Sequence, residues 1–323
     1  MGITTQPEKA SESQGSSDEQ ILKKYGFQSM VKAVNQSIAV VKEAKLGNRV
    51  VLPTKWPKLN RQLLGGLQVG KMYVIGGRPG VGKSAFSNQM IFDVLDLSTR
   101  FPVIVAYWSF EMPGYQQIMR SASKDVDREL HQLLSVDNPL SDADFNRYAS
   151  MVQKYMKYPI YFNNVPRNIE HIRKFNEELA DSRPDALVVN LFDHSRLVLG
   201  QNEANEMEKL NSVSKMCMKM QSELGTISIM LSQLNREIEK EYRAKQQYQP
   251  RLSDLFGADS IGQDAHVVMM LQRPHDLYGI TETYCGEDPV GLLANHIEKN
   301  RDGFTGMMPF EVDLSKFRIL ERT

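Results

Sequence analysis

A chain of 323 residues with 41% hydrophobic and 24% charged positions can bury one large core or two small ones, and its composition excludes a wholly disordered or fibrous protein. Lys+Arg and Asp+Glu are both 39, so a global basic field is excluded and any contact with nucleic acid has to be local. Two isolated cysteines, Cys217 and Cys285, argue against a disulfide framework and fit a reducing cytoplasm. No apolar run approaches the roughly 20 residues of a membrane span and the N-terminus lacks a signal-peptide core, so no membrane contact is expected.

Residues 1–19 are polar and turn-rich, and a disordered tail is expected there. A helix is expected over residues 20–46, because Val31, Val34, Ile38 and Val41 recur at helical spacing and form one apolar stripe. That stripe must be covered, either by the chain's own core or by a neighbouring subunit. Gly47-Asn48 and Pro53 break the pattern, and the main domain is expected over residues 50–323.

The apolar run Met72 to Ile75 predicts the first core strand, and the residues after Ser84 read as a helix. Between them lies Gly77-Arg78-Pro79-Gly80-Val81-Gly82-Lys83-Ser84-Ala85, the G-x-x-x-x-G-K-[ST] pattern in the strand-to-helix context it needs. Glycines at 77, 80 and 82 let successive amides converge on phosphate oxygens, and the helix N-terminus adds partial positive charge. Lys83 would reach the terminal phosphates of a bound nucleotide, and the Ser84 hydroxyl would hold Mg²⁺. The alternative is an ordinary glycine-rich turn, which the complete spacing argues against.

Val103 to Trp108 predicts a buried strand ending in Ser109-Phe110-Glu111. Helices are expected over 115–157, one of them capped by Ser141, and Ile160 to Phe162 reads as a strand. Asn168 is expected to cap a helix ending near Ala180. Ala186 to Phe192 predicts a strand closing on Asp193. Met207, Leu210, Val213, Cys217, Met220 and Leu224 form a core-facing stripe on a helix over 205–224. Ile227 to Leu231 is a strand leading to Gln233, followed by a polar stretch and a strand at Val267 to Leu271. From Leu292 onward short strands alternate with turns. Strands alternating with helices predict the α/β class: a mostly parallel twisted sheet with helices on both faces.

In such sheets ligands sit outside the carboxyl ends of the strands. Four predicted strand ends carry polar groups: the 77–84 loop, Glu111, Asp193 and Gln233. Asp193 has the expected place of a second Mg²⁺ ligand. Glu111 could polarise an attacking water, and Gln233 could hydrogen-bond the γ-phosphate. Any one of these taken singly is more often a cap or a solvated turn; the convergence carries the expectation. Arg120 could touch the nucleotide or form an ion pair on a helix surface.

Gly77 to Ser84, Ser109-Phe110-Glu111-Met112-Pro113, Phe192-Asp193, Leu231-Ser232-Gln233-Leu234-Asn235-Arg236, Leu252 to Leu255, Ser260 to Ala265 and Lys299-Asn300-Arg301-Asp302-Gly303 occur in order. From about residue 50 to its end the chain resembles the C-terminal ATPase domain of DnaB-type replicative DNA helicases, a RecA-like P-loop NTPase. The resemblance implies a linker helix at 20–46 and a homo-oligomer, a hexameric ring, that hydrolyses ATP with Mg²⁺. It further implies translocation on single-stranded DNA with 5'-3' polarity, and a primase, a loader or a separate N-terminal-domain chain as partners. Residue by residue it implies Lys83 and Ser84 at phosphates and metal, Glu111 as catalytic base, Asp193 as the Walker B carboxylate and Gln233 as γ-phosphate sensor. Lys299 and Arg301 resemble the basic pair inserted into the neighbour's site, Arg301 as the arginine finger; without the flanking match they read as a solvated hairpin.

The chain departs from the pattern where the single strand is gripped. Phe256-Gly257 stands where an Arg-Glu pair is usual, His194-Ser195-Arg196 follows Asp193, and His266 replaces an acidic residue. Phe256 could stack on a base or be buried. Lys240, Arg243, Lys245 and Arg251 could meet DNA phosphates, or belong to a solvated loop with Glu237, Glu239 and Glu241. These departures leave a non-unwinding, nucleotide-gated ring as the alternative function.

Overall fold

The computed structural model describes residues 20–22, 24–194, 198–199 and 205–322. The predicted tail at 1–19 and Arg196 lie outside them. The chain divides into two units, residues 1–50 and 51–323. In the first, helix α1 (Met30–Lys45) starts where the Ser29 hydroxyl accepts from the Lys32 amide at 3.3 Å. The helical pattern expected from Gln20 is interrupted before it: Tyr25 and Gly26 form a turn, with Gly26 at φ 76°, and Ser29 supplies a new cap. α1 buries none of its residues, and Val31, Val34, Ile38 and Val41 are all exposed.

The second unit opens with a ribbon of β1 (Val51–Leu52) and β2 (Leu67–Gln68), with α2 (Pro57–Gln62) between them. Then follow β3 (Met72–Gly77), α3 (Lys83–Leu97), β4 (Val103–Ser109), α4 (Gly114–Val126), α5 (Leu130–Leu133), α6 (Asp142–Gln153) and β5 (Ile160–Asn163). Next come α7 (Ile169–Ser182), β6 (Leu187–Asp193), α8 (Glu206–Leu224), β7 (Ile227–Gln233), β8 (Val267–Gln272), α9 (Pro274–Tyr278), β9 (Leu292–Asn300), β10 (Gly306–Asp313) and β11 (Arg318–Glu321). The predicted caps hold: Ser141 accepts from Asp144 N, and Asn168 Oδ1 accepts from His171 N at 2.8 Å.

Among the described residues nine strands form one sheet in the order β11-β10-β9-β8-β3-β7-β6-β4-β5. The six from β8 to β5 are parallel, and β9, β10 and β11 extend the sheet antiparallel. β3 lies inside the parallel part, so both its faces are covered. Tyr73 and Ile75 join the core beneath α3 with Phe86 and Met90, while Met72 and Val74 join the core beneath α8 with Leu210, Val213, Cys217 and Met220. Side chains alternate across a strand, so burial on both faces requires the unbroken apolar runs that marked these strands in the sequence.

Candidate active site

The carboxyl ends of β3, β7, β6 and β4 lie along one edge of the sheet. Gly77 is in register with Gln233, and Ser109 with Asp193. A cleft of about 260 Å³ opens there, lined by Pro79, Gly80, Gly82, Lys83, Ser84 and Ala85 of the loop and by Glu111, Arg120, Asp193 and Gln233. Met112, His194, Leu314 and Phe317 complete its wall. Residues from distant parts of the sequence thus meet where the sequence expected them.

The loop keeps its shape for local steric reasons. Gly80 and Gly82 have φ 77° and 108°, and a Cβ on Gly77 would stand 2.5 Å from Val81 Cγ1. α3 begins at Lys83 behind Gly82 with no side-chain cap, so its first amides face the cleft as donors for an anion. Lys83 Nζ donates to the carbonyls of Gly77 at 2.8 Å and Arg78 at 3.2 Å. Burial pushes its ammonium down to about 8, against the opposing pull of Asp193 and Glu111. A cation bent onto its own loop and short of solvent is poised to accept an anion.

Asp193 is buried at the end of β6, bonded to the Ser84 side chain. Burial holds its carboxyl above the usual range despite that bond. The peptide from Asp193 to His194 is cis. A buried polar chain supports the site from behind. Asn88 Oδ1 accepts from the Tyr107 hydroxyl at 2.7 Å, Asn88 donates to Gln117 Oε1 at 2.7 Å, and Gln117 donates to Ser109 Oγ at 3.3 Å. The Ser109 hydroxyl in turn bonds the Met112 carbonyl, which fixes the turn that presents Glu111, itself exposed to the cleft. The hydroxyl of Ser84 against the carboxylate of Asp193, beside phosphate-facing amides, is a hard-oxygen donor set that fits Mg²⁺.

Of the remaining candidates, Arg78 and Arg243 stand elsewhere than expected, while Arg120, Phe256, Lys299 and Arg301 take places the expectations allowed. The Arg78 guanidinium does not line the cleft; it bonds the Leu234 carbonyl at 2.8 Å and Glu239 Oε1 at 2.6 Å. Arg120 lies at the cleft with its guanidinium 5.2 Å from the Phe317 ring centroid, rather than in a helix-surface ion pair. Arg243, one of the four candidate DNA cations, is buried in a two-pronged pair with Asp254, both contacts at 2.9 Å. Phe256 is half-buried against the core beneath α8. Lys299 and Arg301 are not in the cleft. Lys299 donates to the carbonyls of Gly262 at 3.0 Å and Gln263 at 2.6 Å, and Arg301 to Gln263 at 2.9 Å.

Leu314 and Phe317 were missed by sequence reasoning. They sit in the turn between β10 and β11, and Leu314 packs over Gly82. Nothing polar marks them; only the register of a hairpin near the far end of the chain brings them there.

The family described as DnaB-like helicase C terminal domain matches residues 51–319. The replicative DNA helicase DnaC of Bacillus subtilis is 27% identical over 281 residues, which are 85% of this chain and 58% of that protein. The replicative DNA helicase DnaB of Geobacillus stearothermophilus is 26% identical over 278 residues, 84% of this chain and 57% of its own length. The chain therefore spans less than two thirds of these relatives. Among solved structures, an isolated ATPase domain superposes with a TM-score of 0.79 at 20% identity, covering 91% of this chain and 99% of that one. A DnaB-like replicative helicase, described with its interactions with primase, superposes at 0.78 and 20% identity, covering 96% of this chain and 72% of that one. The fold is that of the RecA-like ATPase domains of these proteins.

Proposed function

The chain belongs to the DnaB-like helicase C-terminal domain family, and we propose that it is the motor of an ATP-dependent replicative helicase. It works as a homo-oligomeric ring, a hexamer, that moves on single-stranded DNA and parts the duplex. The observation that carries this is the convergence of Lys83, Ser84, Glu111, Asp193 and Gln233 on one cleft at the carboxyl edge of the sheet.

The loop amides and Lys83 hold the phosphates of ATP in line for attack. Glu111, the one exposed carboxylate among the described residues of the cleft, orients the attacking water and receives its proton. Gln233 bonds the γ-phosphate and senses its loss. Mg²⁺, held by Ser84 with Asp193 behind it, would neutralise charge shared between the phosphates. Arg120 and Phe317 offer the base a cation and a ring face.

Arg301 completes the site from the next protomer. β8 runs parallel to β3, so its first residue, Val267, lies at the sheet edge opposite the cleft, and Asn300 pairs with it. The six strand residues of β8, at about 3.3 Å each, put the width of the sheet between Arg301 and its own Lys83. A charge so placed is useless in cis and available in trans, where it would stabilise the transition state.

A second function draws support from the 254–257 segment: with Arg243 buried and Phe256 turned inward, the part of the chain expected to grip DNA offers fewer exposed cations than its sequence suggests. A nucleotide-gated ring that scaffolds or loads replication partners without unwinding would have this character. Hydrolysis rate with and without single-stranded DNA, measured together with strand displacement on a forked duplex, separates the two. The motor predicts DNA-stimulated hydrolysis and displacement; hydrolysis indifferent to DNA, with no displacement, favours the scaffold. Primase and a loader are the partners to add to the same assay.

A further inference from the structure

Arg78 occupies the second position of the phosphate loop, yet its side chain leaves the cleft and clasps the segment beyond β7. The contact is two-sided. Leu234 N donates to the Gly77 carbonyl at 3.4 Å, and the Leu234 carbonyl accepts from Arg78 Nη1 at 2.8 Å. Arg78 Nε also donates to Glu239 at 2.6 Å. The same loop carbonyls, Gly77 and Arg78, hold the Lys83 ammonium. One acceptor, Gly77 O, is therefore shared between the lysine expected to meet phosphate and the chain that follows Gln233.

The clasped segment behaves as one piece. Asn235 N donates to the Asp254 carbonyl at 2.8 Å and Phe256 N to the Gln233 carbonyl at 3.0 Å, closing residues 235–254 into a loop. The buried Arg243–Asp254 pair braces its interior, and Arg251 N adds a bond to Asp254 at 2.8 Å. Lys240, Lys245 and Arg251 ride on its exposed surface.

We propose that Arg78 is a positioning residue, a latch that transmits occupancy of the phosphate loop to the 235–256 segment. A phosphate oxygen competes with the Gly77 and Arg78 carbonyls for the Lys83 ammonium. As Lys83 turns to the phosphate, residues 77–78 lose their cation and shift, and the guanidinium carries that shift to Leu234 and Glu239. Because 235–256 is braced, the displacement reaches the surface that bears the remaining cations instead of dissipating in a floppy loop. The latch presupposes the nucleotide site proposed above and adds to it the route by which that site is read.

Hydrogen exchange of the full chain with and without a non-hydrolysable ATP analogue tests it, followed in peptides covering 235–256, alongside single-stranded DNA stimulation of hydrolysis. In the wild type the analogue changes exchange across 235–256. Glu239→Gln removes one partly exposed ion pair, so it should cut that change about twofold while leaving the KM for ATP at the wild-type value. Arg78→Ala, which removes the bonds to both Leu234 and Glu239, should abolish the change. A wild type whose 235–256 exchange ignores nucleotide, a folded Glu239→Gln protein with the full response, or a folded Arg78→Ala protein that keeps the response would each overturn the latch. A wild type whose hydrolysis ignores DNA counts against the motor function, and the exchange result still decides the latch.

Discussion

Lys83 shows most directly how burial sets chemistry. Its ammonium has lost much of its water and is held down to about 8, so in the free protein the proton is present below that pH and lost above it. A phosphate entering the loop restores the charged form. Nucleotide binding must therefore take up a proton at pH above 8, and affinity falls as pH rises from there, by at most about tenfold per unit. Titration of a fluorescent non-hydrolysable analogue at about pH 7 and about pH 9, either side of that value, should show weaker binding in the alkaline sample, and Lys83→Ala should bind weakly in both. Equal wild-type affinity under the two conditions would contradict this account of the lysine. At the cleft wall, Phe317→Ala removes the ring beneath Arg120. The ring holds the Arg120 guanidinium at the cleft, so a cation–π contact of about 0.5–2 kcal/mol bounds the resulting rise in the KM for ATP at roughly 2- to 30-fold, with kcat nearly unchanged.

At the level of elements, the segment between β7 and β8 is held by a pair that charge patterning could not reveal. Arg243 reads in the sequence as one of a run of surface cations, but its partner is 11 residues away across a loop and both side chains are almost fully buried. Removing one partner strands the other charge out of water, so Arg243→Ala should destabilise the domain by about 3–5 kcal/mol in urea unfolding, whereas Lys245→Ala on the exposed side should change it by less than about 0.5 kcal/mol. The elements themselves were largely legible. Parallel strands covered on both faces must be apolar throughout, and Ser141 and Asn168 sit where caps are needed. The phosphate loop was legible because its geometry is local, with glycine positions fixed by φ and by close approach. What stayed hidden depends on distant pairing: Leu314 and Phe317 at the cleft, the outward turn of Arg78, and the burial of Arg243. The break before α1 had a signal that was passed over, since Gly26 permits the turn and Ser29 caps the helix after it.

For the whole molecule, the sheet separates the two halves of the proposed chemistry. Lys83, Ser84, Glu111, Asp193 and Gln233 lie at one edge, and Lys299 and Arg301 hang from the Gly262 and Gln263 carbonyls at the other. On the proposed reading such a chain is polar in the sense that matters for assembly: one end would take an arginine and the other would offer one. In the proposed assembly, head-to-tail contacts between identical copies would satisfy both, forming a ring where the rotation between copies closes. Among the described residues no helix is long and apolar enough to cross a membrane.

The most direct measurement mixes two inactive proteins. Lys83→Ala lacks the group proposed to hold phosphate, and Arg301→Ala the group proposed to act on the neighbour; each alone should hydrolyse ATP at background rate while Arg301→Ala still binds the analogue. In an equimolar mixture, random assembly places an intact Lys83 beside an intact Arg301 at about a quarter of the head-to-tail contacts, so hydrolysis should reappear at roughly that fraction of the wild-type rate. Full activity in Arg301→Ala alone, or a mixture as inert as its two components, would contradict an active site divided between neighbouring copies.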